Sequence, residues 1–206
     1  MIVDCHTHID SPDSNLLCAD HLQACRQVDA CFVLANDSQD CDQANSQVSD
    51  YVKKHRKMIG FGVVNPLTEK VNKSAIERAI LEKGLSGIVL YCSSQGFHPA
   101  NSRAMILYES AQDLNLPIFF HNSLPLDSGT HLQYADPVLI DEIARTFTDL
   151  NIIVGDIGKP FILQTLALIA KHPNVYCDLT VNPDAVWRVY NTVLAAFECQ
   201  VMDKML

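Results

Sequence analysis

The sequence lacks the features that would place the chain in a membrane or send it out of the cell. No apolar run approaches the about 18 residues that a membrane-spanning helix requires. The N-terminus carries no positively charged segment, and Asp4 interrupts its apolar start, so we expect no signal peptide. These absences predict a cytoplasmic protein with no membrane among its partners.

An excess of positive charge is also missing. The chain has 15 lysine and arginine residues against 24 aspartate and glutamate residues, which gives a formal net charge of -9. A surface that binds nucleic acid needs basic patches, so this balance argues against nucleic acid as a general partner. No short repeat or low-complexity segment interrupts the chain.

Closely spaced cysteine pairs of the Cys-x-x-Cys type are absent, although cysteine itself is abundant. The eight cysteines are scattered along the chain at Cys5, Cys18, Cys25, Cys31, Cys41, Cys92, Cys177 and Cys199. An even number would allow disulfides. However, several of these residues lie inside strand-like or helix-like segments, where cysteine behaves as a small apolar residue. Without a secretion signal, reduced thiols are the expected state.

What the chain does contain is a regular alternation of apolar strands and amphipathic helices. With 206 residues and 48% hydrophobic residues, it is expected to form one globular domain over residues 1–206. The predicted strands are 2–5, 30–35, 58–64, 85–92, 117–120, 151–154 and 174–177. The predicted helices are 20–28, 44–55, 75–80, 102–114, 140–147, 161–170 and 186–197. Buried strands between helices predict a parallel sheet.

Polar residues follow the end of nearly every predicted strand, and this decides between two kinds of parallel sheet. They are His6 and His8, Asn36, Asn65, Tyr91, His121, Asp156 and Asp178. In a (β/α)8 TIM barrel the active site is built from those strand ends. An open, doubly wound sheet would favour a Gly-rich phosphate loop after the first strand, and none is present. We therefore predict a C-terminally truncated TIM barrel with about seven βα units, in which Asp203 to Leu206 open strand eight.

The sequence His6-Thr7-His8 at the exit of the first strand is a candidate metal site. Side chains alternate between the two faces of a strand, so His6 and His8 point the same way. Neutral imidazole is a common ligand for zinc, iron, nickel and copper. A His-x-His pair on its own is also compatible with two surface histidines in a turn.

Residues at the ends of three other strands lie on one face of their strand. If these faces, and the face that carries His6 and His8, point into the barrel, the residues meet. By strand parity, His121, Asp156 and Tyr91 then converge on the same mouth as His6 and His8. The alternative for His121 is a core or loop histidine, and the alternative for Asp156 is a turn residue next to glycine. Together with the N-terminal pair, the set favours a shared metal site.

The chain resembles the amidohydrolase superfamily, in particular the amidohydrolase-related branch that also contains lactonases and nonoxidative decarboxylases. The resemblance rests on residues 3–8, 117–121, 155–160 and 174–180, in order along the chain. Three positions depart from the family pattern. Asp156 stands where the family usually has a histidine, and Tyr91 and Val89 stand where it often has histidine and lysine. The chain also ends before the family's strand-eight aspartate.

The resemblance implies a metal-dependent hydrolase that acts on a small molecule such as a lactone, an amide or an ester. His6, His8 and His121 would bind a divalent ion, most simply zinc, that activates a water molecule. Asp156 would orient or deprotonate that water, and Tyr91 and Asn65 would donate to the developing oxyanion. A nonoxidative decarboxylase, a phosphoesterase or deoxyribonuclease on a similar barrel, and a degenerate non-catalytic barrel are the alternatives.

Several further residues are assigned from their place on predicted elements. Three histidines on helices or helix ends are expected to be solvated, namely His21, His55 and His172. Lys159 is also expected in solvent. Trp187 lies on the apolar stripe of its helix and is expected in the core. Incomplete closure of the barrel leaves two strand edges free, so a homo-oligomer is possible.

Overall fold

The computed structural model describes residues 2–9, 15–121, 128–180 and 185–206, without the side chains of residues 15–18. In this part of the chain, seven parallel strands form one sheet whose spatial order equals their order in sequence. The strands are β1 (Val3–Thr7), β2 (Ala30–Leu34), β3 (Met58–Val63), β4 (Gly87–Leu90), β5 (Ile118–Phe120), β6 (Ile152–Val154) and β7 (Val175–Cys177). Successive neighbours and intervening helices confirm the TIM-barrel architecture predicted from the alternation.

Helices connect the strands on the outside of this curled sheet. They are α1 (Asn15–Ala24), α2 (Cys41–Val52), α3 (Lys73–Ile76), α4 (Cys92–Gln95), α5 (Ser102–Asp113), α6 (Asp141–Thr146), α7 (Ile162–Lys171) and α8 (Val186–Glu198). Short polar side chains start several of them. Asp40, Asn72 and Asn101 each accept a hydrogen bond from a backbone N–H in the first turn of α2, α3 and α5. These caps fix where the loops end and the helices begin. No helix in the described segments is long and apolar enough to cross a membrane.

The core lies on both faces of the central strands. All four residues of β4 are buried, as are all three of β5 and of β6. This explains why these strands read as continuous apolar runs instead of alternating patterns. Phe61 and Phe119 are almost fully buried, and their rings meet edge to face at a centroid separation of 6.3 Å.

The last residues of the chain lie next to β7. Met202–Lys204 form a 3₁₀ turn, after which Met205 makes a parallel bridge to Cys177 and the Leu206 N–H donates to the Cys177 carbonyl at 2.8 Å. Of the segment predicted to open a further strand, only Met205 makes an isolated bridge, and Asp203 and Lys204 belong to the 3₁₀ turn. Between Leu206 and β1 lies a cavity of about 350 Å³.

The structure differs from the prediction in several places. β4 spans four residues instead of eight, because α4 already begins at Cys92. Part of the long loop predicted after β5 (residues 122–127) lies outside the described residues, and its second half contains a 3₁₀ turn at Leu132–Ala135. Trp187 is 79% exposed, so its placement in the core was wrong. The apolar residues of α8 extend beyond the part of this helix that neighbouring elements cover, and Trp187 lies in the exposed part.

Candidate metal centre

The side chains of His6, His8 and His121 meet at the carboxyl end of the sheet. The Nε2 atom of His121 lies 3.0 Å from Nε2 of His6 and 3.0 Å from Nε2 of His8. His6 in β1 and His8 directly after it both face His121, and a register irregularity occurs between Asp4 and Thr7 of this strand. Such irregularities are common beside functional sites, where they redirect side chains.

Hydrogen bonds at the opposite ring nitrogens determine what the two β1 histidines offer. Nδ1 of His6 lies 2.5 Å from a carboxylate oxygen of Asp178, and Nδ1 of His8 lies 3.1 Å from the Leu34 carbonyl oxygen. Both partners accept, so Nδ1 carries the proton in each ring. In the neutral imidazole, Nε2 then presents a lone pair to the centre of the cluster.

A cation fits this arrangement better than a proton does. His121 can donate at most one Nε2–H, so it cannot donate fully to both facing lone pairs. Its other nitrogen, Nδ1, is buried without a hydrogen-bond partner among the residues that the structure describes. The three nitrogens lie close enough to one another to share a single ion. The donor set thus suits a divalent metal bound by neutral imidazoles and oriented by outer hydrogen bonds.

The pKa values of His6 and His121 are shifted in opposite directions. Burial lowers the pKa of His121 well below its usual value, and the neighbouring His6 and His8 rings lower it further. Burial also lowers the pKa of His6. The hydrogen bond and the negative charge of Asp178 more than offset that effect, so the pKa of His6 is raised overall. His121 is therefore held neutral, which is the form that binds metals.

Asp156 lies in a tight turn that follows β6 and faces the same cavity. Its backbone and that of Ile157 are left-handed, with φ of 53° and 50°. That conformation is unusual for a β-branched residue such as Ile157 and costs conformational energy. Nζ of Lys159 lies 3.8 Å from an Asp156 carboxylate oxygen. Burial raises the pKa of Asp156, and the Asp178 charge adds to the increase, whereas His6 and Lys159 oppose it.

Asp178, at the end of β7, is the residue of this site to which the sequence argument gave no role. It is 2% exposed, and one carboxylate oxygen holds His6 while the other accepts the Ile157 N–H at 3.3 Å. The Thr180 hydroxyl also donates to it, at 3.1 Å. Asp178 thus joins His6 of β1 to the turn that carries Asp156. The signal in the sequence was its position directly after an apolar strand.

These side chains line an open cavity of about 470 Å³. Its walls are formed by His6, His8, Asn36, Asp37, Tyr91, His121, Asp156 and Thr180. The structure therefore brings together five of the six residues that were predicted to form the site. Asn65 lines a neighbouring cavity with Asp37 and Ser94.

The predicted oxyanion donors have other partners in this structure. The Tyr91 hydroxyl donates to the Ala35 carbonyl at 2.7 Å, and the Tyr91 ring packs against that of His121 at a centroid distance of 4.6 Å. The Asn65 side-chain oxygen accepts the Leu67 N–H at 2.9 Å. Lys159, which was expected in solvent, donates to the Thr180 carbonyl at 2.8 Å. The catalytic roles of Tyr91 and Asn65 stay predictions.

Comparison with known proteins places the chain in a family. The model of the family described as Amidohydrolase matches residues 3–206, so the chain belongs to that family. A search among curated proteins gave no significant match.

Solved structures show the same fold at low identity. An uncharacterized TIM-barrel protein, Bb4693 from Bordetella bronchiseptica, matches all of this chain and 84% of its own, with a TM-score of 0.75 and 15% identity. A 5-carboxyvanillate decarboxylase from Novosphingobium aromaticivorans, solved with bound manganese, matches 100% of this chain and 85% of its own, with a TM-score of 0.66 and 13% identity. A dihydroorotase from Campylobacter jejuni matches 87% of this chain and 54% of its own, with a TM-score of 0.60 and 16% identity.

Proposed function

We propose that this chain is a metal-dependent hydrolase of a small molecule, in the chemical class of lactones, amides or esters. The observation that carries the proposal is the meeting of three imidazole Nε2 atoms in one cavity with the carboxylate of Asp156. The cavity volume lies within the about 300–1,000 Å³ that is usual for small-molecule sites. Family membership supports an enzyme, and the relatives named above include a hydrolase and a decarboxylase.

His6, His8 and His121 would hold one divalent ion, which we take to be zinc. Such an ion, when bound, polarises a carbonyl and makes a water molecule more acidic. Asp178 keeps Nδ1 of His6 protonated and therefore keeps its Nε2 free to bind. The Leu34 carbonyl does the same for His8. The chain thus presents its ligands in the required tautomers before any ion arrives.

Asp156 supplies the base. Its carboxylate is 11% exposed and faces the histidine cluster, so it can accept a proton from water at an Oδ atom. Lys159 contacts that carboxylate and is itself anchored to the Thr180 carbonyl, which limits the directions in which Asp156 can turn. The left-handed backbone at Asp156 aims the side chain into the cavity instead of along the strand.

A nonoxidative decarboxylase is the second candidate, because a decarboxylase matches the full length of the chain in fold. It would use the same three histidines and a substrate that carries a carboxylate. Asp156 would then return a proton to the carbon from which carbon dioxide leaves. Supplying both substrate classes to the same preparation separates the two activities.

The experiment combines metal analysis with the variant Asp156→Asn. Protein that has never met a chelator should hold about one divalent ion at this centre, and His6→Asn with His121→Asn should remove it. Asparagine tolerates the left-handed backbone at position 156, so this variant keeps the turn and removes only the charge. We expect normal folding and a loss of turnover of about 10²-fold or more on lactone, amide or ester substrates.

Asp37→Asn is the matched control. Asp37 lines the same cavity, but its oxygens accept hydrogen bonds from Ser94 at 2.5 Å and from Gln95 at 2.7 Å. We expect this variant to keep both metal and turnover. If neither metal nor uptake of added zinc or manganese is found, the proposal fails. If Asp156→Asn changes only the melting temperature, Asp156 belongs to the turn and not to the chemistry.

A further inference from the structure

A second cluster of metal-ligating side chains lies on the opposite face of β1, away from the histidine centre. It consists of His21 at the end of α1, Cys25 in the following 3₁₀ turn and Cys31 in β2. The two sulfur atoms are 3.4 Å apart, and His21 Nε2 lies 3.5 Å from the Cys25 sulfur and 3.7 Å from the Cys31 sulfur. Cys25 and Cys31 are 4% and 0% exposed.

These separations match the edges of a tetrahedral zinc site. Zinc binds cysteine sulfur at about 2.3 Å and histidine nitrogen at about 2.0–2.1 Å. A tetrahedron with those bond lengths places two sulfurs about 3.8 Å apart and a sulfur and a nitrogen about 3.6 Å apart. The observed triangle of 3.4, 3.5 and 3.7 Å requires movements of only a few tenths of an ångström. The sulfurs are not within the about 2.0 Å of a disulfide bond.

The surroundings of His21 resemble the outer shell of a metal ligand. Nδ1 of His21 lies 2.6 Å from the Tyr51 hydroxyl oxygen. When Nδ1–H donates to that oxygen, Nε2 keeps a lone pair that faces the two thiols, which is the tautomer that zinc needs. The Thr7 hydroxyl oxygen lies 3.1 Å from His21 Nε2 and 3.3 Å from the Cys31 sulfur, on the side left open by the three ligands.

We propose that His21, Cys25 and Cys31 form a second zinc site, whose fourth position is taken by water or by the Thr7 hydroxyl. Binding would break the two S–H bonds and form two Zn–S bonds, and the two protons would pass to solvent. The role of the site is structural, because it ties the end of α1 to β2. The site is independent of the hydrolase proposal and shares none of its ligands.

The experiment counts zinc and identifies its ligands. Zinc-equilibrated, reduced and desalted protein should hold about two ions per chain. The double variant Cys25→Ser with Cys31→Ser should hold about one, and His6→Asn with His121→Asn should also hold about one. Cys199→Ser is the control, because Cys199 is exposed and free, and it should hold two. Cobalt substitution should give thiolate-to-cobalt charge-transfer bands that persist in the His6 and His121 variant and vanish in the Cys25 and Cys31 variant.

A measurement on the unmodified chain covers the case in which the double cysteine variant fails to fold. X-ray absorption at the zinc edge should then show sulfur scatterers at about 2.3 Å. A shell of nitrogen and oxygen alone, at about 2.0–2.1 Å, overturns the second site while leaving the histidine centre standing. Charge-transfer bands that survive in a folded Cys25 and Cys31 variant also overturn it.

Discussion

Asp178 contacts the candidate metal centre through the ring nitrogen of His6 that faces away from the cluster. Its carboxylate contacts Nδ1 of His6, the backbone N–H of Ile157 and the hydroxyl of Thr180. Partners of this type fix the tautomer and orientation of a ligating histidine, and they increase its basicity. The residue is buried, so water cannot take over these hydrogen bonds when the carboxylate is removed.

The variant Asp178→Ala should therefore weaken metal binding about 10- to 100-fold. Asp178→Asn should lie between this variant and the parent, since its amide oxygen still accepts a hydrogen bond from His6 Nδ1. Competition with a chromophoric chelator measures the affinity. Asp4→Asn is the control, because Asp4 accepts from the backbone N–H of His6 and not from its ring. Equal affinities in Asp178→Ala and Asp4→Asn would contradict the prediction.

Individual site residues could be predicted from the sequence where the alternation of side chains along a strand shows which face each one occupies. His6, His8, His121 and Asp156 could be placed at one mouth because each belongs to a strand or follows one within two residues. The cluster of His21, Cys25 and Cys31 could not, because its members lie on a helix, a turn and a strand. No spacing rule relates three such elements before the fold is known, so His21 was expected in solvent and the two cysteines were counted as apolar residues.

At the scale of elements, the turn Gly155–Gly158 has no space for a larger side chain at Gly158. Gly158 has φ of 66°, and a Cβ built there would lie 1.9 Å from Oγ1 of Thr165 and 2.8 Å from Cγ of Pro137. The turn positions Asp156, and α7 packs directly against it, with the Thr165 N–H and hydroxyl donating to the Phe161 carbonyl. The geometry of the candidate base therefore depends on Gly158, four positions beyond the end of β6.

We expect Gly158→Ala to lower the free energy of unfolding by about 3 kcal/mol or more, because a left-handed conformation and a steric clash act together. Gly84→Ala is the matched control. Its φ is 76°, but the nearest atom to an added Cβ is a Lys53 side-chain carbon at 3.6 Å. Only the conformational cost of about 1–2 kcal/mol remains there. Urea denaturation of both variants measures the difference, and equal losses would show that the clash at position 158 is relieved.

The elements themselves were mostly predictable. The strands have the predicted order, and each bound differs from the prediction by no more than two residues. The helix after β4 was missed because it spans four residues, which is too short to show a periodic pattern. His172 was expected in solvent, but it is 7% exposed and lies 2.7 Å from Asp141. That contact joins the end of α7 to the start of α6, and packing between helices cannot be read from one helix alone.

At the scale of the whole molecule, α8 presents an apolar face that the described residues leave exposed. Trp187, Tyr190, Leu194 and Phe197 follow a spacing of three, four and three residues and are 79%, 58%, 42% and 68% exposed. Since an aromatic side chain can bury about 150–250 Å², the three aromatic residues alone leave roughly 400 Å² of surface in solvent. Two such faces approach the about 1,000 Å² that a specific interface requires.

We propose that a second copy of this chain covers this face, with the two α8 helices antiparallel. Exposed Arg188 and Glu198 lie near opposite ends of the helix, so an antiparallel pair would bring each arginine close to the partner's glutamate end. Trp187→Lys with Phe197→Lys should convert a dimer to a monomer in sedimentation experiments. Ile106→Lys is the control, because Ile106 is 48% exposed on α5. A parent chain that stays monomeric at all concentrations would refute the proposal.

The placement of the candidate ligands on β1 has a consequence for fluctuations of the sheet. Among the described strands β1 pairs only with β2, and the cavity of about 350 Å³ borders its other side. Strands held on one side open locally more easily than central ones. Each opening would separate His6 and His8 from His121, so it would have to break bonds to any bound ion. A bound ion would thus hold β1 in the sheet. At free metal concentrations well above the dissociation constant, each tenfold rise would make opening less favourable by about 1.4 kcal/mol.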